Sequence, residues 1–229
     1  MTAPLCNDHL DSFIVSSRPP PTPLATSQEI RDRASAFIAY IYAAATESQA
    51  NSCVNHTKRV LHSEKPASHV MFAWRCMLVK AGCTGLGGED EFEVKEGSED
   101  DGEKYGGQKI LTAMRKQGTL DAVVVVCRWY GGTMLGPVRF THIETSTLEV
   151  CREFKRQEDI KAALATLRTL DDLLAQLREQ LGSSSKAKTP DYTGWIDWDL
   201  ERAHRLVRAR ESAISNTKKL IAKHQQKPT

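Results

Sequence analysis

Apolar and polar positions near the N-terminus predict a helix followed by a loop. Thr26 and Glu29 have the spacing of a capping box, and apolar residues then recur at intervals of three and four as far as Ala45. This periodicity gives one apolar face and predicts an amphipathic helix over residues 26–45. Residues 46–67 are polar and weakly patterned, so they are interpreted as a loop or an insertion.

Two continuous apolar runs predict strands. Residues 70–79 are apolar apart from Arg75, and residues 120–127 contain four consecutive valines. β-Branched residues favour strands, and a strand without alternation is usually buried on both faces. We therefore expect residues 120–127 to form the core strand of a sheet. The acidic stretch between the two runs, residues 89–103, is expected to be a loop.

Two further helices are expected around the core strand. The first follows Gly106-Gly107, passes through Met114 and ends near Gly118, since glycine is favoured just beyond a helix C-terminus. The second begins at Pro137, because proline is favoured at the first position of a helix. Gly131-Gly132 breaks the chain between the core strand and this second helix.

The last third of the chain has two apolar stripes of helical period. One covers residues 160–181, and the other repeats every seven residues over about 197–224. A flexible connector is expected between them at 182–194. The two helices are expected to form an αα-hairpin, with an antiparallel arrangement favoured. Either stripe also has the composition to pack on the preceding domain or on another chain.

Composition and termini exclude several classes of protein. Residues 1–11 have no periodicity and are expected to be disordered, and Ser12–Ser16 is a candidate strand. The sequence has no apolar run of about eighteen residues and no secretory signal, so we expect a cytosolic or nuclear protein that does not enter a membrane, with the cytoplasm favoured. Six cysteines without a Cys-x-x-Cys pair argue against structural zinc, and neither a metal nor a cofactor is expected.

Charge is distributed unevenly, although the formal net charge is only +2. Residues 89–103 contain nine acids and one lysine, whereas residues 200–229 contain eight lysines and arginines and two acids. Both segments are interpreted first as solvated surfaces. The basic segment would also suit the phosphates of a nucleic acid.

The segment from Arg128 to Phe140 has the composition of a binding site. A buried strand ends with an arginine and two aromatic residues, glycines permit a tight turn, and a helix then presents unpaired N–H groups. Together with Arg139, this arrangement is compatible with an anion site at the helix N-terminus, although it is not the favoured interpretation. The alternative is that the glycines only turn the chain and that Arg128 pairs with an acid of residues 99–103.

The motifs of this region resemble those of a known family. Asp-Asp-Gly-Glu at 100–103, the valine strand, Arg-Trp-Tyr-Gly-Gly at 128–132, and Leu-Gly-Pro with Arg-Phe within 135–140 are similar to the Impact (YigZ-type) domain. Upstream, Ala-Ser-His at 67–69 and Phe-Ala-Trp-Arg at 72–75 are similar to the same domain. Leu135-Gly136-Pro137 and Arg139-Phe140 resemble the eukaryotic branch of the family more than the bacterial branch.

The resemblance is expected to begin at the N-terminal candidate strand. Ser12-Phe13-Ile14 resembles the opening strand of the Impact domain, so the similarity is expected to cover residues 12–154 with an insertion near 46–66. It implies an α+β domain at 12–155, in which a sheet is backed by helices as in the second domain of ribosomal protein S5. A helical extension at 156–229 follows.

The resemblance also implies a regulator of translation without catalytic activity. Eukaryotic members bind the activator of the kinase that phosphorylates initiation factor 2 alpha. By competing with that kinase during amino-acid starvation, they relieve the inhibition of translation. Some members are connected with actin. The RWD domain that usually precedes the Impact domain in eukaryotic members is expected to be absent, since about a dozen residues precede the first expected strand.

The favoured hypothesis is protein binding through a surface that combines charges with aromatic anchors. Core packing of Trp129 and Tyr130 at the end of the strand is an equal alternative for these two residues. Substitution of Arg128 by alanine is expected to abolish partner binding and to leave the fold intact. The expected members of the surface are Asp101, Glu103, Arg128, Trp129, Tyr130, Gly131, Gly132, Gly136 and Arg139.

Two alternatives come from other features of the sequence. A ribosome- or RNA-binding protein would use the S5-like fold and the basic final helix. An enzyme would need a catalytic motif, and the sequence contains neither Gly-x-Ser-x-Gly nor His-Glu-x-x-His. Asp100, Asp101 and Glu103 have oxygen ligands suited to a divalent cation, but a solvated acidic turn is the favoured interpretation.

Overall fold

The computed structural model describes residues 19–182, 192 and 199–225. The expected disorder at 1–11 and the candidate strand Ser12–Ser16 lie outside the described residues, as does most of the expected connector at 182–194. The described residues belong to two compact units that divide between Arg152 and Glu153. The domain limits expected from the sequence stay predictions.

The first unit is an α+β domain built on one six-stranded sheet. Every pairing in the sheet is antiparallel, and the strand order is β1-β3-β6-β4-β5 with β2 also paired to β3. This arrangement confirms the expected fold class of a sheet backed by helices. The strands are β1 (Ala25–Thr26), β2 (Ile30–Asp32), β3 (Ser35–Ala43), β4 (His69–Val79), β5 (Phe92–Glu99) and β6 (Ala122–Trp129). The helices are α1 (Glu47–His56), α2 (Gly106–Gln117) and the first part of α3 (Val138–Gln180).

Strand β6 is the centre of this domain, as the run of valines predicted. Residues 122–127 are fully buried, because β3 and β4 flank the strand and helices cover both faces of the sheet. On one face, Tyr42, Trp74 and Val123 form a core with residues of α1. On the opposite face, Phe37 of β3 contacts His142 of α3, and Met71 of β4 packs against the start of α2.

The expected helix at residues 26–45 is wrong, because this segment forms β1, β2 and β3. Arg33 and Ala34 have φ values of 44° and 63° and make the two-residue turn between β2 and β3, which is the geometry of a tight hairpin. The six apolar residues from Phe37 to Tyr42 lie on a strand that is covered on both faces. A continuous run of this kind also matches helical spacing, so the periodicity misled the prediction.

The loop expected at 46–67 is wrong for residues 47–61 and holds for residues 62–67. It contains α1, whose first turn is capped by the Thr46 hydroxyl accepting a hydrogen bond from Gln49 N at 3.2 Å, and a π-helical turn at Thr57–Leu61. Only Ala50, Cys53 and Val54 of α1 are buried. The apolar stripe is therefore too narrow to give a helical pattern in the sequence.

The acidic segment 89–103 is only partly a loop, since β5 occupies its middle. β5 pairs only with β4 and lies at the edge of the sheet, where charged residues are common because they discourage pairing between molecules. The other expected elements are confirmed. These are the strands β4 and β6, the helix α2 and the helix that follows Pro137.

The second unit contains the C-terminal part of α3 and the helix α4 (Leu200–Gln225). Ile160 and Ala163 pack with Ala203, and Leu174 and Leu177 pack with Ile214. Contacts that advance along both helices together define a parallel pair. The two helices are confirmed, but the expected antiparallel direction is wrong.

The number of residues in the connection is sufficient for a parallel arrangement. Residues 182–199 span at most about 60 Å when extended, which exceeds the roughly 30 Å length of a twenty-residue helix. This reach is enough for α4 to begin beside Ile160 of α3. In the described part of the chain, neither these helices nor any other has the length and apolar character of a membrane span.

Candidate docking site

Arg128 lies near the end of β6, beside the start of β4. Its main-chain carbonyl accepts a hydrogen bond from Ser68 N at 2.8 Å, and Ser68 Oγ accepts one from Tyr130 N at 3.0 Å. Gly131 N then donates to Ser35 Oγ at 3.1 Å. Strands on both sides therefore fix the chain at the point where it leaves the sheet.

Three charged side chains meet where β6, α3 and the loop before α2 come together. Glu103 is placed between two arginines and gives one carboxylate oxygen to each of them. Oε1 accepts a hydrogen bond from Arg139 Nε at 2.6 Å, and Oε2 accepts one from Arg128 Nη1. The side chains of Glu103 and Arg128 are each 6% exposed, and that of Arg139 is 26% exposed. We call these three residues the arginine–glutamate cluster.

Aromatic rings complete the surroundings of the cluster. The Arg128 guanidinium lies 5.4 Å from the centre of the Phe37 ring and 5.5 Å from that of Tyr130. Arg139 lies 4.2 Å from the centre of the Phe140 ring. These distances are those of cation–π contacts, which gain strength where water is excluded. The cluster therefore joins β6 to the loop before α2 and to the first turn of α3.

The anion that these arginines bind is a side chain of the same protein. This is the alternative in which Arg128 pairs with an acid of residues 99–103. A phosphate at the start of α3 would have to approach the Glu103 carboxylate, and like charges in a dry site repel each other strongly. The arrangement therefore disfavours phosphate binding and gives the cluster a structural role.

The two preceding acids are also used inside the fold. Asp100 accepts hydrogen bonds from Tyr105 N at 2.9 Å and Gly107 N at 2.8 Å, which satisfies free N–H groups at the start of α2. Asp101 accepts one from Val70 N at 2.7 Å and pairs with Lys58 at 3.2 Å. Among the described residues, no group of three or more histidine, cysteine or acidic side chains is placed to hold a metal ion.

Trp129 and Tyr130 point in different directions. The Trp129 indole donates a hydrogen bond to the Lys65 carbonyl at 3.1 Å, and the His62 ring contacts it edge-on with centres 4.9 Å apart. Burial lowers the pKa of His62 below its usual value. Tyr130, by contrast, keeps 44% of its surface exposed. Trp129 is thus packed into the domain, while Tyr130 remains available to a partner.

The glycines of the site differ in what they do. A Cβ on Gly131 would lie 2.1 Å from the main-chain carbon of Ala34, so only glycine permits the loop to approach the β2–β3 turn. Gly132 and Gly136 have positive φ values of 82° and 63°, and a Cβ there would meet nothing within 4 Å. Glycine is required at position 131 by close packing, and it is favoured at positions 132 and 136 by the positive φ of the backbone.

Three exposed apolar side chains lie within a few residues of the cluster in the sequence, and we call them the docking surface. Tyr105 is 57% exposed, Tyr130 is 44% exposed and Met134 is 80% exposed. Tyr105 follows Glu103 by two residues, Tyr130 contacts Arg128, and Met134 lies in the loop that leads to Arg139. The structure brings Glu103, Arg128 and Arg139 together, with Tyr130 beside Arg128. It does not bring Trp129 to them, because that ring packs against the core on the α1 side of the sheet, and Asp101 pairs instead with Lys58.

Several residues of the site were missed by the sequence analysis. Lys58 and His62 lie in a segment that was expected to be a loop, so nothing linked them to Asp101 or Trp129. Tyr105 and Met134 have no motif of their own. Their only sequence feature is that each is a large apolar residue beside glycines, which is typical of an exposed loop.

The fold and these motifs agree with a comparison against known families. The model of the Impact N-terminal domain matches residues 33–151. The chain belongs to this family. The match begins at the β2–β3 turn, so it does not include Ser12-Phe13-Ile14, whose resemblance to the opening strand of the Impact domain lies outside it. Residues 46–66, which the sequence suggested as an insertion, lie within the matched range.

Named relatives come from yeasts and vertebrates. An IMPACT family member of Schizosaccharomyces pombe is 38% identical over 112 residues, which cover 49% of this chain and 32% of the relative. Protein IMPACT of Rattus norvegicus is 33% identical over 137 residues, which cover 57% of this chain and 38% of the relative. The matched part of the Impact-family chain thus spans about a third of the length of these relatives.

A solved structure of the two-domain translational regulator Yih1 is also similar. It is 30% identical and has a TM-score of 0.36, with 66% of this chain and 52% of that chain covered.

Proposed function

We propose that this Impact-family chain regulates translation by binding a protein partner through the docking surface. The observation that carries the proposal is the contrast between a buried arginine–glutamate cluster and the exposed Tyr105, Tyr130 and Met134 on the adjoining loops. Exposed aromatic residues on a preorganised support are typical of binding hot spots, because little conformational entropy is lost when a partner docks. The role is non-catalytic, since the acids near the surface are engaged in the fold.

The partner proposed is the activator of the kinase that phosphorylates initiation factor 2 alpha. The support for this partner is the family membership together with the resemblance of the motifs to eukaryotic Impact proteins. By occupying the activator, the chain would compete with the kinase and relieve the inhibition of translation during starvation. We further propose that the chain acts in the cytoplasm, where translation takes place.

The experiment compares a double variant of the docking surface with a single control variant in amino-acid-starved cells. Tyr130→Ser combined with Met134→Ser removes exposed apolar area from the docking surface, while Leu220→Ser removes a residue that is 51% exposed on α4. We expect the double variant to lose capture of the activator and to leave initiation factor 2 alpha phosphorylated, and Leu220→Ser to behave as wild type. Normal capture by a folded double variant would reject the docking surface.

A second candidate function has support from α4. Arg205, Arg208 and Lys219 are exposed on this helix, where they are available to phosphates. Ribosome or RNA binding through α4 would weaken steeply with salt, and a variant with glutamine at these three positions would bind less tightly. Loss of activator capture without a change in RNA binding would separate the two candidates.

A further inference from the structure

The hairpin of β4 and β5 extends beyond the rest of the sheet. Pairing between β4 and β6 ends at Arg75 opposite Ala122, whereas pairing between β4 and β5 continues to Val79 opposite Phe92. The last four residues of β4 therefore have a neighbour on one side only. A two-stranded ribbon is marginally stable by itself, so this end of the domain lacks the cover that the rest of the sheet has.

One face of this ribbon is apolar and exposed. Met77 is directly opposite Val94, and Val79 is directly opposite Phe92, so these four side chains share a face. Met77, Val79 and Val94 are between 42% and 45% exposed. Contiguous apolar surface of this kind is uncommon on a soluble domain unless it binds something.

The loop between β4 and β5 adds to the same face. A Cβ added to Gly85 would lie 3.3 Å from Val79 Cγ2 and 3.7 Å from Phe92 Cζ. The loop therefore packs against the end of the ribbon. The next residue, Leu86, is 91% exposed. We call Met77, Val79, Leu86, Phe92 and Val94 the ribbon face. It lies at the opposite end of β4 from the docking surface, because His69 at the other end pairs with Arg128.

Acidic residues border the ribbon face. Glu89, Asp90 and Glu91 form a single turn immediately before β5, and among the described residues none of their carboxylates is in an ion pair. Lys80 donates a hydrogen bond to the main-chain carbonyl of Asp90 at 2.7 Å, which places one positive charge beside these three acids. The apolar face is thus bordered by three acids and one lysine, which together carry a net negative charge.

We propose that the ribbon face binds a basic amphipathic helix of a partner protein. The apolar side of such a helix would cover Met77, Val79 and Val94, and its lysines or arginines would pair with the acids of the turn before β5. A second copy of this chain fits less well, because two acidic turns would face each other across the interface. This inference concerns a different surface from the proposed function and does not depend on it.

The probe is a fluorescein-labelled synthetic peptide of leucine and lysine, about 18 residues long, with leucines at helical spacing. A peptide in which glutamate replaces lysine is the charge control. The full chain is titrated into each peptide, and binding is followed by fluorescence anisotropy. Hydrogen exchange measured with and without the leucine–lysine peptide then locates the contact.

Val79→Thr combined with Val94→Thr removes apolar surface while keeping β-branched residues in the strands. Val60→Thr, at a position that is 61% exposed on the π-helical turn, is the matched control. We expect the double variant to bind the leucine–lysine peptide about tenfold more weakly, Val60→Thr to bind as wild type, and protection from exchange to appear at residues 77–94.

Three results would each overturn the proposal. One is equal binding of the basic and acidic peptides, and another is binding that the double variant does not weaken. The third is a dimer of the free chain, seen in sedimentation, that the double variant dissociates. That last result would assign the ribbon face to a second copy of the chain.

Discussion

The Glu103 carboxylate contacts the guanidinium of Arg128, and the two side chains are equally buried at 6% exposure. Arg139 shares the same carboxylate from the other side. One carboxylate therefore compensates two guanidinium groups in a largely buried site. Removal of a charge from such a site leaves the remaining charges without compensation, which costs more than the pair itself contributes.

Substitution of Glu103 by glutamine is expected to destabilise the first unit by about 3–5 kcal/mol, the range found when one partner of a buried ion pair is removed. Arg128→Ala should have an effect of similar size, because it leaves Glu103 paired only with Arg139. Arg139→Ala should cost less, since that side chain is 26% exposed. Urea unfolding followed by tryptophan fluorescence measures all three.

Glu99→Gln is the control, because Glu99 is exposed and lies four residues before Glu103. A loss for Glu103→Gln no larger than for Glu99→Gln would show that the cluster adds nothing to stability. These expectations replace the one drawn from the sequence, in which Arg128→Ala left the fold intact. The change follows from burial, which residue identity and spacing do not reveal.

Local sequence patterns predicted the centre of the fold better than its periphery. The valine strand β6 and the helix α2 have one structural interpretation each, because β-branched runs and glycine-bounded amphipathic stretches are unambiguous. β3 was misassigned, since a strand covered on both faces has no alternation to distinguish it from a helix. The parallel helices of the second unit depend on long-range packing that a periodic pattern does not encode.

The candidate site could be predicted as a set of residues but not as an arrangement. Its motifs identified Glu103, Arg128 and Arg139 together, yet gave no indication that the first two are buried and the third is partly exposed. Tyr105 and Met134 were missed, because exposure in a loop has no periodic pattern. The order of the strands, which brings residues 103 and 128 together, is a property of the whole sheet.

Gly131→Ala and Gly132→Ala are adjacent substitutions with different expected costs. At position 131 the new Cβ would lie 2.1 Å from Ala34 C and 2.5 Å from Ser35 N, and these backbone atoms cannot move without disturbing β3. We expect a loss of at least about 3 kcal/mol in the free energy of unfolding, since the overlap involves backbone. At position 132 only the positive φ of 82° is unfavourable, at a cost of about 1 kcal/mol.

The same urea unfolding experiment compares the two glycine variants. Equal losses would indicate that the loop adjusts to remove the overlap at position 131. In that case the hydrogen bond from Gly131 N to Ser35 Oγ should also weaken, which hydrogen exchange at this amide would detect.

Stability should fall as the pH is lowered, in part because of His62. Its pKa is lowered by burial, so the unfolded chain takes up a proton near pH 6.5 while the folded chain stays neutral. The stability present above about pH 6.5 is therefore lost below it, by at most about 1.4 kcal/mol per pH unit for one proton. His62→Phe keeps a ring against Trp129 and removes the proton site.

Unfolding of wild type and His62→Phe at pH 7.5 and 5.5, roughly a unit on either side of the unfolded pKa, isolates this effect. Other titrating pairs, such as Asp32 with His142, are present in both proteins and cancel in the comparison. We expect the variant to lose less stability between the two pH values. Equal losses would mean that His62 becomes protonated as readily in the folded chain as in the unfolded one.

The described cysteines should differ sharply in reactivity towards iodoacetamide. Burial raises the pKa of Cys127 to about 12 and those of Cys76 and Cys151 to about 11. Since the thiolate is the reactive form, these thiols should be alkylated slowly at pH 8, whereas the exposed Cys83 should react first.

Mass spectrometry of peptides after timed alkylation measures each site separately. Cys83→Ser should remove the fast reaction among these cysteines and leave the slow ones unchanged, and urea should make the buried thiols react as fast as Cys83 does. Rapid alkylation of Cys127 without urea would mean that β6 is exposed in the native protein. A central strand that opens in this way could not hold Arg128 in a fixed position, so the result would also remove the support on which the docking surface depends.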